Sequence, residues 1–268
     1  MRKAPLVFIS VLIIASAGFA QMPVDGARYD AVPKISHPLP FKVGETLSFE
    51  ISFSKLIFSG DIADMKLTVS KAANDMLEIK ADLQSKGFYP KLFGVKVKNQ
   101  FSALVDSTDL GLHASRKKIE EGKVRREMTS IVNRDAHRVT YTDRDLVNTK
   151  AAPEVRETDA PAWVHDILSA LYFVRTQKLE EGGVIPIPLT DYGQVYNIEI
   201  IVGKREEVKV DAGKFNTIML DAKIFDGRYL RRSGQMLIWV TDDARRIPVR
   251  AKIKTPEANL TINLKRIS

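Results

Sequence analysis

The chain has 268 residues, a formal net charge of +8 and no cysteine. The lack of cysteine excludes disulfides and a lipid attached to a cysteine, so the core alone must stabilise the fold. Lysines and arginines are spread along alternating positions rather than gathered into one block, which disfavours a nucleic-acid-binding protein and favours a solvated sheet face.

The first twenty residues have the pattern of a secretory signal peptide. Arg2 and Lys3 precede the apolar run Leu6–Ala15, and the segment Ala17–Ala20 ends in front of a cleavage site before Gln21. The apolar run is too short to span a bilayer, and no later run approaches about 18 apolar residues. We therefore expect an exported protein, periplasmic or otherwise outside the cytoplasm, that is soluble after cleavage and has no integral membrane span.

Residues 21–42 contain four prolines and little periodicity, which predicts an extended leader. From residue 43 onward, apolar and polar residues alternate through 47–53, 65–69, 77–83 and 95–105, as in half-buried antiparallel strands. Glu120–Lys123 has the residues of a hairpin turn, joining a strand from about Leu112 to one ending near Asn133. The first part of the domain is therefore predicted to be a series of hairpins.

The period is lost over residues 143–160, which predicts a long polar loop or a boundary between two halves, 43–142 and 161–268, of one β-rich domain spanning 43–268. Apolar residues then recur at helical spacing from Trp163 to Leu179, with Pro161 suited to the first turn and Gly182–Gly183 to the end. Strands resume at Tyr196. Turns are predicted at Gly203–Lys204, Ala212–Gly213, Asp226–Gly227 and Thr241–Asp243.

About a dozen strands and a single helix provide no second layer of helices to cover the sheet, so the sheet must curl, pack on itself or wrap around the helix. The sequence thus predicts an all-β, mainly antiparallel fold: a large curved sheet, barrel-like or two-sheet, with one amphipathic helix packed on or inside it. A closed barrel, an open curved sheet and a sandwich are the alternatives.

Three stretches resemble one family of exported bacterial proteins, domain of unknown function 3108. They are Phe41–Leu47 (FKVGETL), Asp166–Arg175 (DILSALYFVR) and Ile238–Val249 (IWVTDDARRIPV). Gly213–Phe215 is also similar to a Gly-x-Phe turn of this family. The resemblance implies a mostly β protein of the cell envelope, and it supplies no catalytic residue.

A curved sheet with an apolar concave side suits a hydrophobic ligand. We expect a non-enzymatic envelope protein that binds or carries an apolar ligand such as a lipid, with no cofactor and no metal. An envelope scaffold or protein-interaction module with a solid core and an envelope protein partner is the alternative. The candidate ligand-lining residues lie on apolar strand faces: Phe49, Ile51, Phe53, Leu67, Leu83 and Phe101.

Other groups have simpler interpretations. His165 and Ser169 share a helix face, but we expect a solvent-facing histidine, a small packing serine, and an Asp166 that supports the first helical turn. The aspartates near residues 221–243 are expected in turns, with Asp243 paired to an arginine. A basic cluster at residues 116–126 is predicted on one hairpin, as a solvated tip balanced by glutamates or, alternatively, as a contact for phosphate headgroups or an anionic glycan. The aromatic stretch at 87–93 is predicted to cap the core or to form a mobile lip. Both tryptophans, at 163 and 239, are expected to pack in the core or at its rim.

Overall fold

A computed structural model describes residues 34–55, 58–87, 96–225, 234–256 and 258–268. The signal-peptide prediction, the leader up to residue 33, most of the aromatic stretch and the Asp226–Gly227 turn lie outside these residues. The strands are β1 (Thr46–Lys55), β2 (Phe58–Lys71), β3 (Met76–Ser85), β4 (Lys98–Asp106), β5 (Leu112–Glu121), β6 (Val124–Asn133), β7 (Arg138–Asp145), β8 (Glu154–Asp159), β9 (Val184–Asp191), β10 (Gln194–Val210), β11 (Gly213–Ala222), β12 (Gln235–Thr241), β13 (Pro248–Lys254) and β14 (Asn259–Ile267). The helix is α1 (Ile167–Arg175).

The fourteen described strands form one antiparallel sheet that is not closed. Its order is β8-β7-β6-β5-β4-β3-β2-β1-β14-β13-β12-β11-β10-β9, so β1–β8 form a first arm and β9–β14 form a second arm. The arms join where β1 pairs with β14, and Thr46 and Ser268 exchange two backbone hydrogen bonds of 2.9 Å. The predicted all-β fold is confirmed, with one helix in the described residues.

The sheet curves around α1, because one short helix contacts strands from almost the whole sheet. Phe173 and Val174 pack with the core of β9–β12, while Leu171 packs against the core of β1–β3, β13 and β14. Tyr172 belongs to the core of β2–β7. Since a flat sheet cannot reach all sides of a nine-residue helix, the apolar face of the sheet must be concave.

The two sheet edges meet near the turn between β9 and β10. Arg156 Nη1 on β8 donates to the Tyr192 carbonyl at 3.2 Å, and Thr158 Oγ1 donates to the Gly193 carbonyl at 2.6 Å. Gly193 has a φ of +71°, and a Cβ there would lie 3.0 Å from Tyr141 Cδ1. We call this contact the seam. Side chains, rather than a backbone ladder, join the edges there.

Several boundaries differ from the sequence-based expectations. Residues 154–159, expected in a polar loop, form β8, an edge strand that lacks alternation because most of its side chains are exposed on both faces. β9 was not predicted, because Pro186 and Pro188 interrupt its pattern. Gly203–Lys204 is not a turn: the register shifts there and β10 continues.

The helix is also shorter than predicted, beginning after Asp166 and ending at Arg175. Neither Pro161 nor Gly182–Gly183 bounds it. The β5–β6 hairpin, with its turn at residues 122–123, matches the prediction.

Candidate functional site

The start of α1 is fixed inside the curve by capping and by β9. The Asp166 carboxylate accepts from Ser169 N at 2.8 Å, and Ser169 Oγ accepts from Asp166 N at 2.9 Å, which forms a capping box. The preceding residue, His165, donates its N–H to the Pro188 carbonyl and accepts from Thr190 N. These bonds set which side of the helix faces each arm.

The six predicted ligand-lining residues all belong to one apolar cluster or pack against it. Four of them are at most 4% exposed and act as core: Phe49, Ile51, Leu67 and Leu83. Phe53 and Phe101 are only partly buried. The structure therefore brings the six together, but just two retain accessible surface.

Partly exposed apolar side chains converge between the helix and the first arm. Phe53 from β1, Met65 from β2 and Phe101 from β4 pack against the same cluster as Leu168 and Leu171 of α1. All five are partly buried, although they belong to the concave side. We call these five residues the inner groove. The helix does not seal the sheet at this place.

Charged side chains continue the inner groove beyond Phe101. Lys117 on β5 is the cross-strand partner of Phe101 and therefore shares its face. Its ammonium group pairs with Asp191 at the end of β9 and lies 4.8 Å from the centroid of the Tyr192 ring. Because the Asp191 side chain is only 3% exposed, this ion pair is largely shielded from solvent.

A second ion pair extends the polar region across β6 and β7. The Arg126 guanidinium pairs with Asp143, and the Tyr141 hydroxyl donates to Asp143 Oδ2 at 3.0 Å. Burial and the Asp143 carboxylate raise the pKa of Tyr141; burial and the Asp191 carboxylate raise the pKa of Tyr192. Both phenols therefore stay protonated: the Tyr141 hydroxyl donates to Asp143, and the buried Tyr192 hydroxyl has no hydrogen-bond partner among the described residues.

The histidine expected to face solvent does not do so. His165 is fully buried, with its ring centroid 4.6 Å from that of Phe173 and 6.1 Å from that of Trp163. Its Nδ1 lies 3.3 Å from Ser169 Oγ, and Ser169 is itself fully buried. Burial lowers the pKa of His165 to about 3, so the ring is neutral. These groups hold the helix start, as expected for Asp166; Ser169, expected only as a small packing residue, also takes part through the capping box.

The predicted basic cluster lies on the β5–β6 hairpin, but strand alternation divides it between two faces. Lys117 and Arg126 point to the concave side. On the outer side, Arg116 pairs with Glu127 and Lys118 lies 3.1 Å from a Glu120 carboxylate oxygen. The cluster is therefore largely neutralised within the hairpin.

The aspartates of the β12–β13 turn contact arginines. Asp243 Oδ2 accepts from Arg245 Nη2 at 2.9 Å, which confirms the predicted structural contact. Asp242 accepts from Arg205 at 2.9 Å and from Arg246 at 3.1 Å. Among the described residues, no three His, Asp or Glu side chains are grouped as metal ligands. Both tryptophans are buried, as predicted.

Sequence reasoning missed a buried ion pair at the end of the helix. The Arg175 side chain is 0% exposed and donates to both carboxylate oxygens of Glu45, at 2.6 and 2.8 Å. Arg175 Nη2 also donates to the Arg245 carbonyl at 3.0 Å, and the guanidinium carbon lies 5.1 Å from the Phe41 ring and 4.9 Å from the Tyr172 ring. The sequence contained one signal for this ion pair: Arg175 occupies a position where the helical spacing calls for an apolar residue.

This ion pair joins the three stretches that carry the family resemblance. Glu45 belongs to the first, Arg175 to the second and Arg245 to the third. A family model described as "Protein of unknown function (DUF3108)" matches residues 48–265, which include the second and third stretches. The chain belongs to this family. The first stretch lies directly before the matched residues. No curated protein matches the chain.

The DUF3108 chain has structural neighbours with very low sequence identity. A β-barrel-like protein of domain of unknown function DUF1849 from Brucella abortus is similar at a TM-score of 0.57 and 7% identity, covering 84% of this chain and 97% of that one. An exported Bacteroides fragilis protein with a YmcC-like fold has a TM-score of 0.37 and 10% identity, covering 86% and 98%. The Brucella likeness shows the barrel-like fold alone. In the described part of the chain, no helix combines the length and apolar character needed to cross a bilayer.

Proposed function

We propose that this DUF3108 protein is a non-enzymatic protein of the cell envelope that holds an apolar ligand, such as a lipid, in the inner groove. The observation that carries the proposal is the partial exposure of five apolar side chains on the concave side of the sheet. Most other apolar residues of that side are buried, although Ile167 of α1 and Met236 and Ile238 of β12 are partly exposed as well. An unsealed apolar surface inside an otherwise packed fold suits an occupant of the same character.

The chemistry of the groove favours an acyl chain. Phe53, Met65, Phe101, Leu168 and Leu171 offer aromatic and flexible aliphatic contacts without a charged group among them. Each methylene transferred from water to such surroundings contributes about 0.8 kcal/mol, so a chain of several methylenes gains enough to bind. The neighbouring Lys117–Asp191 pair and the tyrosine hydroxyls provide a polar boundary at one end.

The proposal is tested with a variant that fills the inner groove. A charged residue at a predicted lining position is unsuitable, because Phe49, for example, is 3% exposed and an aspartate there would unfold the core. Leu171→Trp adds volume from the helix side, and Leu171→Met, which keeps the volume, is the matched control. We expect L171W to lose uptake of a fluorescent fatty acid or phospholipid at least about tenfold, while L171M binds like the wild type.

Thermal unfolding of L171W tests whether the inner groove contains empty space. If the groove has room, L171W keeps the wild-type melting temperature; a solid core would lose about 1–3 kcal/mol by overpacking. Native mass spectrometry with organic extraction of protein from the producing cells then identifies the ligand class. A clean apo mass, no probe uptake and a destabilised L171W together would overturn the proposal in favour of a scaffold with a solid core.

A further inference from the structure

The outer side of the sheet carries a separate groove of about 500 Å³. It lies across β14, β1, β2, β3 and β4; its charged side chains belong to the face opposite to the inner groove, although Met65 of the inner groove also contributes to its lining. Its charged lining residues are Asp64, Lys66, Asp82, Lys98, Lys265 and Arg266. We call this feature the outer groove. Cations outnumber anions in it by four to two.

The two carboxylates of the outer groove already have partners. Asp64 accepts from Lys86 Nζ at 2.6 Å, and Asp82 accepts from Gln100 Nε2 at 2.8 Å. Asp82 is the cross-strand partner of Lys66, yet the two side chains form no ion pair. Asp64 and Asp82 therefore do not neutralise the cations of the outer groove.

Three cations of the outer groove are exposed and without such contacts. Lys66, Lys98 and Arg266 make no side-chain hydrogen bond or ion pair with another described residue, although the Lys98 ammonium group interacts electrostatically with the Glu120 carboxylate. Lys265 differs, because it donates to Glu50 Oε1 at 3.1 Å. On the basic hairpin β5–β6, by contrast, most of the outward cations are paired.

The register places the cations around a common space. Arg266 on β14 lies opposite Ser48 on β1, and Ser48 lies opposite Lys66 on β2, so two strand spacings, about 10 Å, separate the backbones of the two cations. Lys98 approaches from β4 through the partners Gln84 and Asp64. At this spacing Lys66 and Arg266 can reach one anion above the small side chain of Ser48, whereas Lys98, four strand spacings or about 19 Å from Arg266, borders the other side of the groove.

We infer that the outer groove binds a phosphate group through Lys66 and Arg266, while Lys98 adds positive potential at the other side of the groove. A phosphate concentrates negative charge on several acceptor oxygens, and arginine can meet two of them at once, which suits ammonium and guanidinium groups without other partners. The phosphate comes from one of two sources, the headgroup of an anionic phospholipid or a soluble phosphodiester. The site is independent of the inner groove, since its charged side chains belong to the other face.

The test uses vesicles of phosphatidylcholine with about one third phosphatidylglycerol, and pure phosphatidylcholine vesicles as reference. The triple variant Lys66→Gln, Lys98→Gln and Arg266→Gln removes three of the four cations of the groove and keeps Lys265. Its control, Lys178→Gln, Lys204→Gln and Lys214→Gln, removes the same charge from exposed lysines that pair with glutamates. We expect the groove variant to bind the anionic vesicles at least about tenfold more weakly, and the control less than about threefold.

Two results overturn the inference: equal weakening by both triple variants, which indicates attraction by net charge alone, or no binding of wild-type protein to either vesicles or phosphodiester. Glycerophosphoglycerol, the soluble headgroup of the anionic lipid, distinguishes the sources. If it competes with the vesicles, the groove recognises the isolated phosphodiester; if vesicle binding persists, the lipid surface supplies the phosphate. Uptake of an uncharged lipid probe by the inner groove reports on the proposed function separately.

Discussion

At the scale of single residues, burial decides what a side chain can do. His165 resembles part of a nucleophilic constellation in the sequence, but its ring lies between Trp163 and Phe173, and its Nε2 is buried without a partner among the described residues. A neutral imidazole is tolerated there, whereas an imidazolium would lack solvation. Protonation of His165 is therefore linked to unfolding, so the stability of the fold depends on pH.

This coupling predicts a loss of stability in mild acid. The pKa of His165 is about 3 in the folded protein, below the value of about 6.5 expected in the unfolded chain, so between these values the unfolded state binds more protons. Stability should then fall as the pH falls through this window, by about 2 kcal/mol between pH 7 and pH 5. Urea unfolding at both pH values measures it.

Two variants separate His165 from other titrating groups. His165→Phe should remove most of the pH dependence, because the phenyl ring binds no proton. His137→Gln, at an exposed histidine of the β6–β7 turn, should keep it. An unchanged slope in H165F would show that other groups cause the dependence.

At the scale of elements, the strands were more predictable than their edges and partners. Alternation identified β1, β3 and the β5–β6 hairpin, because each has one buried and one wet face. β9 has the same inward row, Ile185, Ile187 and Leu189, but prolines lie between them; an edge strand tolerates these prolines, whereas sequence reasoning treats them as breakers. Whether a strand lies at the edge depends on the order of the whole sheet, so it cannot be predicted from the local residue pattern.

The candidate site was predictable only in part for the same reason. Phe53 and Phe101 follow from alternation, and Leu168 and Leu171 from helical spacing. Their meeting depends on which side of α1 faces the first arm, and this is set by the capping box and the pairing of His165 with β9. Lys117 was assigned to a solvated cluster, because no local pattern marks an inward lysine whose partner is 74 residues away.

The end of α1 depends on the Arg175–Glu45 pair. We predict that Arg175→Met lowers the free energy of unfolding by about 3–5 kcal/mol, because it leaves the Glu45 carboxylate buried without a cation and removes the donors to the Arg245 carbonyl. The double variant with Glu45→Gln should lose less than R175M, since no unpaired charge remains. Denaturant unfolding measures both.

The control for this pair lies three residues further along the chain. Lys178→Met breaks an exposed contact with Glu180 and should change the unfolding free energy by less than about 0.5 kcal/mol. If R175M were as mild as K178M, the buried pair would not anchor the helix.

At the scale of the whole molecule, the seam decides whether an open sheet behaves as a closed one. Gly193 allows β8 to approach the β9–β10 turn, since a Cβ there would lie 3.0 Å from Tyr141 and 3.1 Å from Arg156. The side-chain hydrogen bonds of Arg156 and Thr158 then hold the two edges together. The enclosure of the concave side depends on this contact between the arms.

We predict that Gly193→Ala separates the edges and destabilises the fold by about 1–3 kcal/mol more than Gly182→Ala. Gly182 is the matched control, because its φ of +81° is close to the +71° of Gly193 but nothing lies within 4 Å of its added Cβ. Thermal unfolding compares stabilities, and hydrogen exchange at the β8 amides should rise in G193A alone. Equal effects at both glycines would mean that the seam contributes little.

The pairing of β1 with β14 also determines the order in which the molecule can fold. Every other strand pair joins neighbours along the chain, so each arm can form by closing short loops one after another. The junction of the arms instead requires the first and last strands of the described sheet, and its loop-closure entropy is the largest in the molecule. During synthesis from the N-terminal end, β1 therefore keeps an unpaired edge until β14 has been made, and other strands can pair wrongly with that edge throughout this interval.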